Sequence, residues 1–157
     1  MTMLFLAFSM GPDRYLIDVH QIEEVLPYID VKVLPGAPTG VLGLVSYNGI
    51  PIPLIDVTLL ALGRPSERLL STRIVVTRYP AHDGEQRLLG LIAERVTDTL
   101  ERDPAEFAPF GLEPGTPPYL GPVASDGSEI IQWVKVEALL SEEIRTALLR
   151  QAAMGDQ

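Results

Sequence analysis

The chain contains no cysteine, which excludes disulfides, thiolate-bound metals and cysteine nucleophiles. A cysteine-free chain suits a reducing compartment, and a cytoplasmic location is expected. Histidine is almost as scarce. His20 ends an apolar segment, His82 lies in the polar turn YPAHDGEQR, and the two share no ligand spacing, so no metal site is expected. Basic residues are few as well: 12 Lys and Arg stand against 21 Asp and Glu, giving a net charge of −9 with no Lys/Arg run. That balance disfavours nucleic acid and anionic lipid as partners. The N-terminal MLFLAFSM is too short to span a bilayer and has no basic residue before it, so it is expected to be a strand of the fold, with no direct membrane insertion. P-loop, G-x-G-x-x-G and G-x-S-x-G motifs are all missing, and with them the common nucleotide-binding and serine-hydrolase arrangements.

What the chain does have is turn chemistry. Fourteen prolines and 13 glycines in 157 residues punctuate short apolar runs rich in Val, Ile and Tyr, the pattern of a mainly β protein. Strands are expected at residues 3–10, 15–19, 31–34, 41–47 and 50–57, and again at 72–79, 87–100, 119–124 and 129–134. Three segments suit helix: QIEEVL (21–26), VTLLALG (57–63) with Gly63 as C-cap, and SEEIRTALLRQA (141–152), which Ser141 would cap.

An internal repeat divides the chain. VLGLVSYNG (41–49) and YLGPVASDG (119–127) share the frame L-G-x-V-x-x-[N/D]-G at an offset of 78 residues, and each precedes an apolar strand and a Leu pair. Asn48-Gly49 and Asp126-Gly127 are the expected hairpin turns. Two small β lobes follow from this pattern. The first covers about residues 14–85; the second covers about 86–152 plus the N-terminal strand, all within one domain, 1–157. The segment IPIPLID places Pro51 and Pro53 at alternate positions of one strand. Both nitrogens face the same side, so that side cannot carry a ladder and the strand is expected at an edge or a barrel corner.

No catalytic constellation emerges. The carboxylate pairs Glu23-Glu24 and Glu142-Glu143 are sequence neighbours and diverge on any regular element. Asp56 suits an N-cap for the segment after it. Trp133 sits in a strand and is expected to pack the second lobe. The proline-rich stretch 101–119 reads as a connector pinned by Phe107 and Phe110.

Taken together, EEVL, VLPGAPTG and VLGLVSYNGIPIPLIDVTLLALG resemble the CheW-like family of chemotaxis coupling proteins. Glu24-Val25-Leu26 match the family's E-V-L segment, and Pro35 and Pro38 its P-x-x-P element. Gly43 and Gly49 match the glycines of its G-x-x-N-x-R-G motif, Pro53 and Asp56 its P-x-x-D strand, and Leu62-Gly63 its L-G stop. Later strands resemble the family in order, so the resemblance runs from about residue 5 to residue 149. It implies two SH3-like five-stranded β-barrel lobes around a shared core, with short helices and a C-terminal helix. It further implies a non-catalytic adaptor, without cofactor, that joins a CheA-type histidine kinase to the cytoplasmic tip of a methyl-accepting chemoreceptor. On that basis the expected partner-binding residues are Glu24, Val25, Val41, Leu42, Asn48, Gly49, Ile50, Pro51, Ile52 and Pro53. Two departures stand out. Asn48 replaces the arginine that the family carries before the hairpin glycine and that is often discussed as the partner of the E-V-L glutamate, and Pro51 is unusual. Both imply a variant coupler of a Wsp-like or other alternative array. The alternative function from another class is a small β-barrel regulator that binds a ligand in the cleft between lobes.

Overall fold

Ten strands are found among the described residues, which are 1–29, 31–37, 40–80, 85–110 and 115–140 of the computed structural model. They are β1 (Met3–Met10), β2 (Asp13–Asp18), β3 (Ile22–Pro27), β4 (Lys32–Val33), β5 (Val41–Tyr47), β6 (Ile50–Asp56), β7 (Arg73–Pro80), β8 (Gln86–Arg102), β9 (Leu120–Asp126) and β10 (Glu129–Val134). A short helix, α1 (Val57–Leu62), follows β6.

The long strand β8 is shared. Its first half, residues 86–93, lies antiparallel to β7 and, at residues 90–92, parallel to β6. Its second half lies antiparallel to β1. One set of ladders therefore runs β3–β7–β8–β6–β5–β4 and the other β8–β1–β2–β10–β9. In each, a hairpin lays its second strand parallel to a further strand, β6 beside β8 and β10 beside β2, and two antiparallel steps complete the lobe. The lobes have the same strand order on different threads, because the chain enters the second lobe in the middle of β8 and closes it with its N-terminal strands. This moves the division expected at 14–85. β2 pairs with β1 and β10 in the second lobe, and the first half of β8 pairs within the first, since strand partners follow the edge on which a hairpin docks and not the halves of the chain.

Period-two alternation then fills three cores. On β1, Phe5 and Ala7 enter the second lobe with Leu16, Ala124 and Ile131, while Leu6, Phe8 and Met10 face the other way. On β7, Ile74 and Val76 enter the first lobe with Val45, Ile52, Leu54 and Ile92. The opposite faces meet between the lobes, where Leu6, Phe8, Ile17, Ile55, Val75, Leu91 and Val136 form one cluster. Where β8 passes between lobes, Ser9 lies opposite Glu94 and Ala7 opposite Asp98, so β8 bulges; Arg95 takes a φ of 50° there. The bulge turns the Glu94 carboxylate inward, where it accepts from the Glu67 N–H at 3.1 Å and from Arg64 at 3.4 Å.

The repeat has a steric explanation. A Cβ on Gly43 would overlap the Lys32 carbonyl oxygen of β4, and one on Gly121 would lie 2.5 Å from the Trp133 carbonyl oxygen of β10. Both glycines sit at register shifts, where the neighbouring backbone crosses closely. The two turns are not equivalent. Tyr47 faces Ile50 across a turn of Asn48 and Gly49, whose φ values are 49° and 80°, a type I′ pair. In the second hairpin Asp126 itself faces Glu129, so the turn residues are Gly127 (φ 63°) and Ser128, one position later than expected. Asp126 is held in the ladder by Arg14, at 3.1 Å, and by Arg102.

The helix expected at 21–26 does not form beyond Gln21. A 3-10 turn at Val19–Gln21 leads directly into β3, which pairs with β7. The segment lacks the aspartate cap and glycine stop that secure the equally short α1, and the β7 edge offers ladder bonds instead. α1 forms as expected: Asp56 accepts from Thr58 N–H at 3.1 Å and Leu59 N–H at 3.2 Å, and Gly63 ends the helix with φ 76°. Asp56 also accepts from the Ser66 hydroxyl at 2.6 Å and the Ser66 N–H at 2.8 Å, which ties down the loop after α1. Trp133 packs in the second lobe against Phe5 and Phe107, at ring separations of 5.0 and 5.5 Å. Phe107 thus pins the connector, whereas Phe110 is 65% exposed and does not. The helix expected at 141–152, Pro38 and His82 lie outside the described residues.

Gly43→Ala is expected to destabilise the protein by about 3 kcal/mol, because the clash is with backbone that cannot rotate away. Thermal unfolding followed by circular dichroism should then show a Tm lowered by about 6–12 °C. An unchanged Tm would contradict the close approach.

Candidate functional site

β6 resolves the question its prolines raise. β5 pairs with it along residues 50–55, and closure of the two-residue turn puts Ile50 and Ile52 in the positions whose N–H groups point to β5. On the other side β8 joins only at Leu54, Ile55 and Asp56. Pro51 and Pro53 therefore direct their donor-free nitrogens to a side with no strand ladder among the described residues. The first half of β6 is an edge that rejects an added strand, and the second half is interior sheet.

The expected site residues separate by burial. Glu24, Val25, Asn48, Gly49, Ile50 and Pro51 are exposed, with Ile50 at 57%; Leu42 and Pro53 are half-buried. Val41 and Ile52 are core residues and offer no surface, which corrects their assignment to a partner face. Alternation is the reason: Val41 turns toward the cluster between lobes, and Ile52, opposite Val45, turns into the first lobe.

Glu24 and Val25 also part company. Glu24 lies opposite Val76, whose side chain fills the first lobe, and Val25 lies opposite Val75, which belongs to the cluster between lobes. Glu24 consequently reaches the hairpin end of the first lobe, while Val25 borders the seam. At the hairpin end the Tyr47 hydroxyl donates to Glu24 Oε2 at 2.7 Å. The Tyr47 ring is buried, and its phenol lies above the ordinary tyrosine value, chiefly because the hydrogen bond to Glu24 favours the neutral form, with lesser contributions from burial and from Glu23; the Asn48 amide opposes the shift. The neighbouring Glu23 pairs with Arg78, which also donates to the His20 carbonyl oxygen at 2.7 Å. No ion pair of Glu24 is found among the described residues.

Sequence reasoning did not find Tyr47. The signal was available: Val41, Gly43, Val45 and Tyr47 alternate toward the interior, and a buried tyrosine at a strand end requires a partner for its hydroxyl. The arrangement is a binding surface in character. The two most buried carboxylates, Asp56 and Glu94, are occupied in holding residues 64–67, and no group of three His, Cys, Asp or Glu that could hold a metal occurs among the described residues. His20 is exposed; its N–H and imidazole meet Asp18, and its carbonyl oxygen accepts from Arg78.

A raised phenol pKa means that the proton is held more tightly in the folded state. The contact therefore contributes stability that is fully present below about pH 10 and is lost as pH rises through the folded value. In Glu24→Ala the Tyr47 phenol is expected to titrate at lower pH than in the parent, measured by absorbance at 295 nm against Tyr47→Phe; coincident curves would remove Glu24 as the cause.

Comparison with known proteins converges on one family. The CheW-like domain model matches residues 4–143. The chemotaxis protein CheW of Klebsiella aerogenes is 25% identical over 142 residues, covering 88% of this chain and 82% of its own length. The chemotaxis protein CheW of Rhizobium meliloti is 22% identical over 104 residues, 66% of this chain and 64% of its own length. The crystal structure of the scaffolding protein TtCheW from Thermoanaerobacter tengcongensis superposes with a TM-score of 0.79 at 19% identity, covering 92% of this chain and 91% of that one. The paired β lobes, the shared core and the match across nearly the whole chain place this protein in the CheW-like family of non-catalytic chemotaxis coupling adaptors.

Proposed function

We propose that this adaptor works in the cytoplasm, joining a CheA-type histidine kinase to the cytoplasmic tip of a chemoreceptor, and that the hairpin end of the first lobe is its principal docking face. The observation that carries the assignment is the exposed tip of β5–β6. Ile50 and Pro51 present apolar surface, Asn48 and Gly49 hold the turn in a fixed type I′ geometry, and the prolines keep the edge closed to indiscriminate strand pairing. A barrel of the kinase would meet this end, with Leu42 and Pro53 at its margin. Val25 is exposed on the opposite face of β3, the face of Val75, and a helical receptor tip would meet the protein on that side. Small barrel ends bury modest area, so each contact is weak and the array supplies strength through multivalency. Nothing in the fold or the family favours the ligand-binding regulator.

Co-purification of the full chain with its cognate kinase and a receptor cytoplasmic fragment tests the assignment. Ile50→Asp is expected to keep its stability within about 0.5 kcal/mol of the parent, as an exposed substitution should. It is also expected to weaken kinase capture by about tenfold or more, as loss of an apolar anchor does. Ile52→Asp places a charge in the first-lobe core and is expected to cost about 4 kcal/mol or more, seen as loss of the urea transition. Failure of the parent chain to capture either protein would overturn the coupling assignment for these partners; capture undiminished in Ile50→Asp would move the docking face elsewhere.

A further inference from the structure

The loop between α1 and β7 is fixed on both sides of its most exposed residues. Asp56 accepts from the Ser66 hydroxyl and N–H, and Glu94 accepts from the Glu67 N–H and from Arg64. The Thr72 hydroxyl donates to the Glu67 carbonyl oxygen at 2.5 Å and accepts from the Leu69 N–H at 3.1 Å. From β8, the Val96 N–H donates to the Ser71 carbonyl oxygen at 3.0 Å. Between these anchors Leu70 is 96% exposed, more than any other large apolar side chain among the described residues except Met1, and Leu69 beside it is exposed as well. Backbone held on both sides keeps Leu70 from folding back onto the body, so its exposure is built into the loop.

Charge is distributed unevenly here. The chain carries −9, yet between residues 57 and 80 four arginines stand against Glu67 alone. Arg64 and Arg78 are paired with Glu94 and Glu23. Arg68 lies over the Tyr28 ring at 4.6 Å, and Arg73 donates to the carbonyl oxygens of Leu70 and Thr72; neither meets a carboxylate among the described residues. Arg95 is exposed at the β8 bulge, directly before the Val96 that bonds Ser71, and it too forms no ion pair among the described residues. Three guanidinium groups without a carboxylate thus gather at the loop that holds Leu70 outward.

We propose that this loop is a docking element for the receptor tip, and that it takes a protein segment whose carboxylates flank an apolar side chain. The apolar group covers Leu70, and the carboxylates meet Arg68, Arg73 and Arg95. Charge complementarity carries the choice of occupant: a guanidinium binds a carboxylate bidentately, and covering Leu70 excludes water from the pairs around it. Nucleic acid is repelled by a net charge of −9, and one leucine with a few arginines falls short of the two signals that hold a protein on anionic lipid. Position favours the receptor over the kinase, because period two puts Arg73 on the face of Val75, the side assigned above to the receptor tip. The inference rests on that assignment and adds the element and the chemistry that hold the receptor.

Calorimetric titration of the full chain with a cytoplasmic fragment of its cognate receptor, at low and high salt, provides the test. Arg95→Glu is expected to weaken binding about tenfold and to flatten its salt dependence, and adding Arg68→Glu should weaken it further. Leu70→Ser should weaken binding about fivefold with the salt dependence kept, as loss of an apolar contact does. Its urea midpoint should match the parent's, since the side chain is solvent-exposed, and kinase capture should be retained in every variant. Receptor binding that is unchanged in both Arg95→Glu and Leu70→Ser overturns the loop inference and leaves the receptor assignment standing. Equal loss of kinase and receptor binding in Leu70→Ser overturns the loop inference too. Sedimentation of the parent with phosphatidylglycerol vesicles, abolished by Leu70→Ser, overturns it in favour of a membrane. Failure of the parent to bind the receptor fragment overturns both the inference and the receptor assignment.

Discussion

β8 ties the two lobes together through one continuous backbone, and most of the architecture follows from the demands this makes on side chains. A strand that serves two curled sheets in succession has its first half buried on both faces, so Leu89, Leu91, Ile92 and Ala93 are all interior. β1 and β7, its antiparallel neighbours, are constrained in the same way. Each supplies one face to its own lobe and the other to the cluster between lobes. A large aliphatic or aromatic side chain buried this way contributes about 1.5–3 kcal/mol, so the seam between lobes is a core and not a sliding interface. The bulge at Glu94 lets the strand change partners, and the inward carboxylate it creates is matched by Arg64 and the Glu67 N–H.

Rigidity at the seam leaves the hairpin ends free to differ. In the second lobe Asp126 is clamped by two arginines, and the turn is shifted by one residue to keep that carboxylate in the ladder. In the first lobe the turn uses Asn48 and Gly49, and β3 meets the end of β5 through the Glu24–Tyr47 hydrogen bond. Two barrels with one strand order thus present chemically distinct ends. An adaptor needs that asymmetry, because it must meet two kinds of protein without its lobes competing for the same one.

Acidic groups are allocated unevenly. Asp56 and Glu94 are both buried and hold the segment between α1 and β7; Asp56 does so through the Ser66 hydroxyl and N–H, besides the two N–H groups of α1 that it caps. Glu24 remains outside, oriented by the Tyr47 hydroxyl and without an ion pair among the described residues. A net charge of −9 raises the potential of the whole surface toward basic partners, without selecting among them.

Several features were legible in the residues themselves because they depend on local rules. Alternating Val and Ile runs gave most of the strands, the Asp56 cap and Gly63 stop fixed α1, Asn48-Gly49 gave a type I′ turn, and the repeat announced two lobes. The edge character of β6 followed from two missing N–H groups. Other features were settled by neighbours distant in the chain. Residues 22–26 became a strand because β7 offered an edge, β2 joined the second lobe because β10 lies beside it, and Val41 and Ile52 went inside because register with β6 and β5 turned them there. The Tyr47–Glu24 contact spans 23 residues and two strands that never pair, so no local pattern contains it. Sequence sets what each segment prefers and which backbone groups it can offer; which faces meet, and which side chains are buried between them, is decided only when long-range pairing brings the strands together.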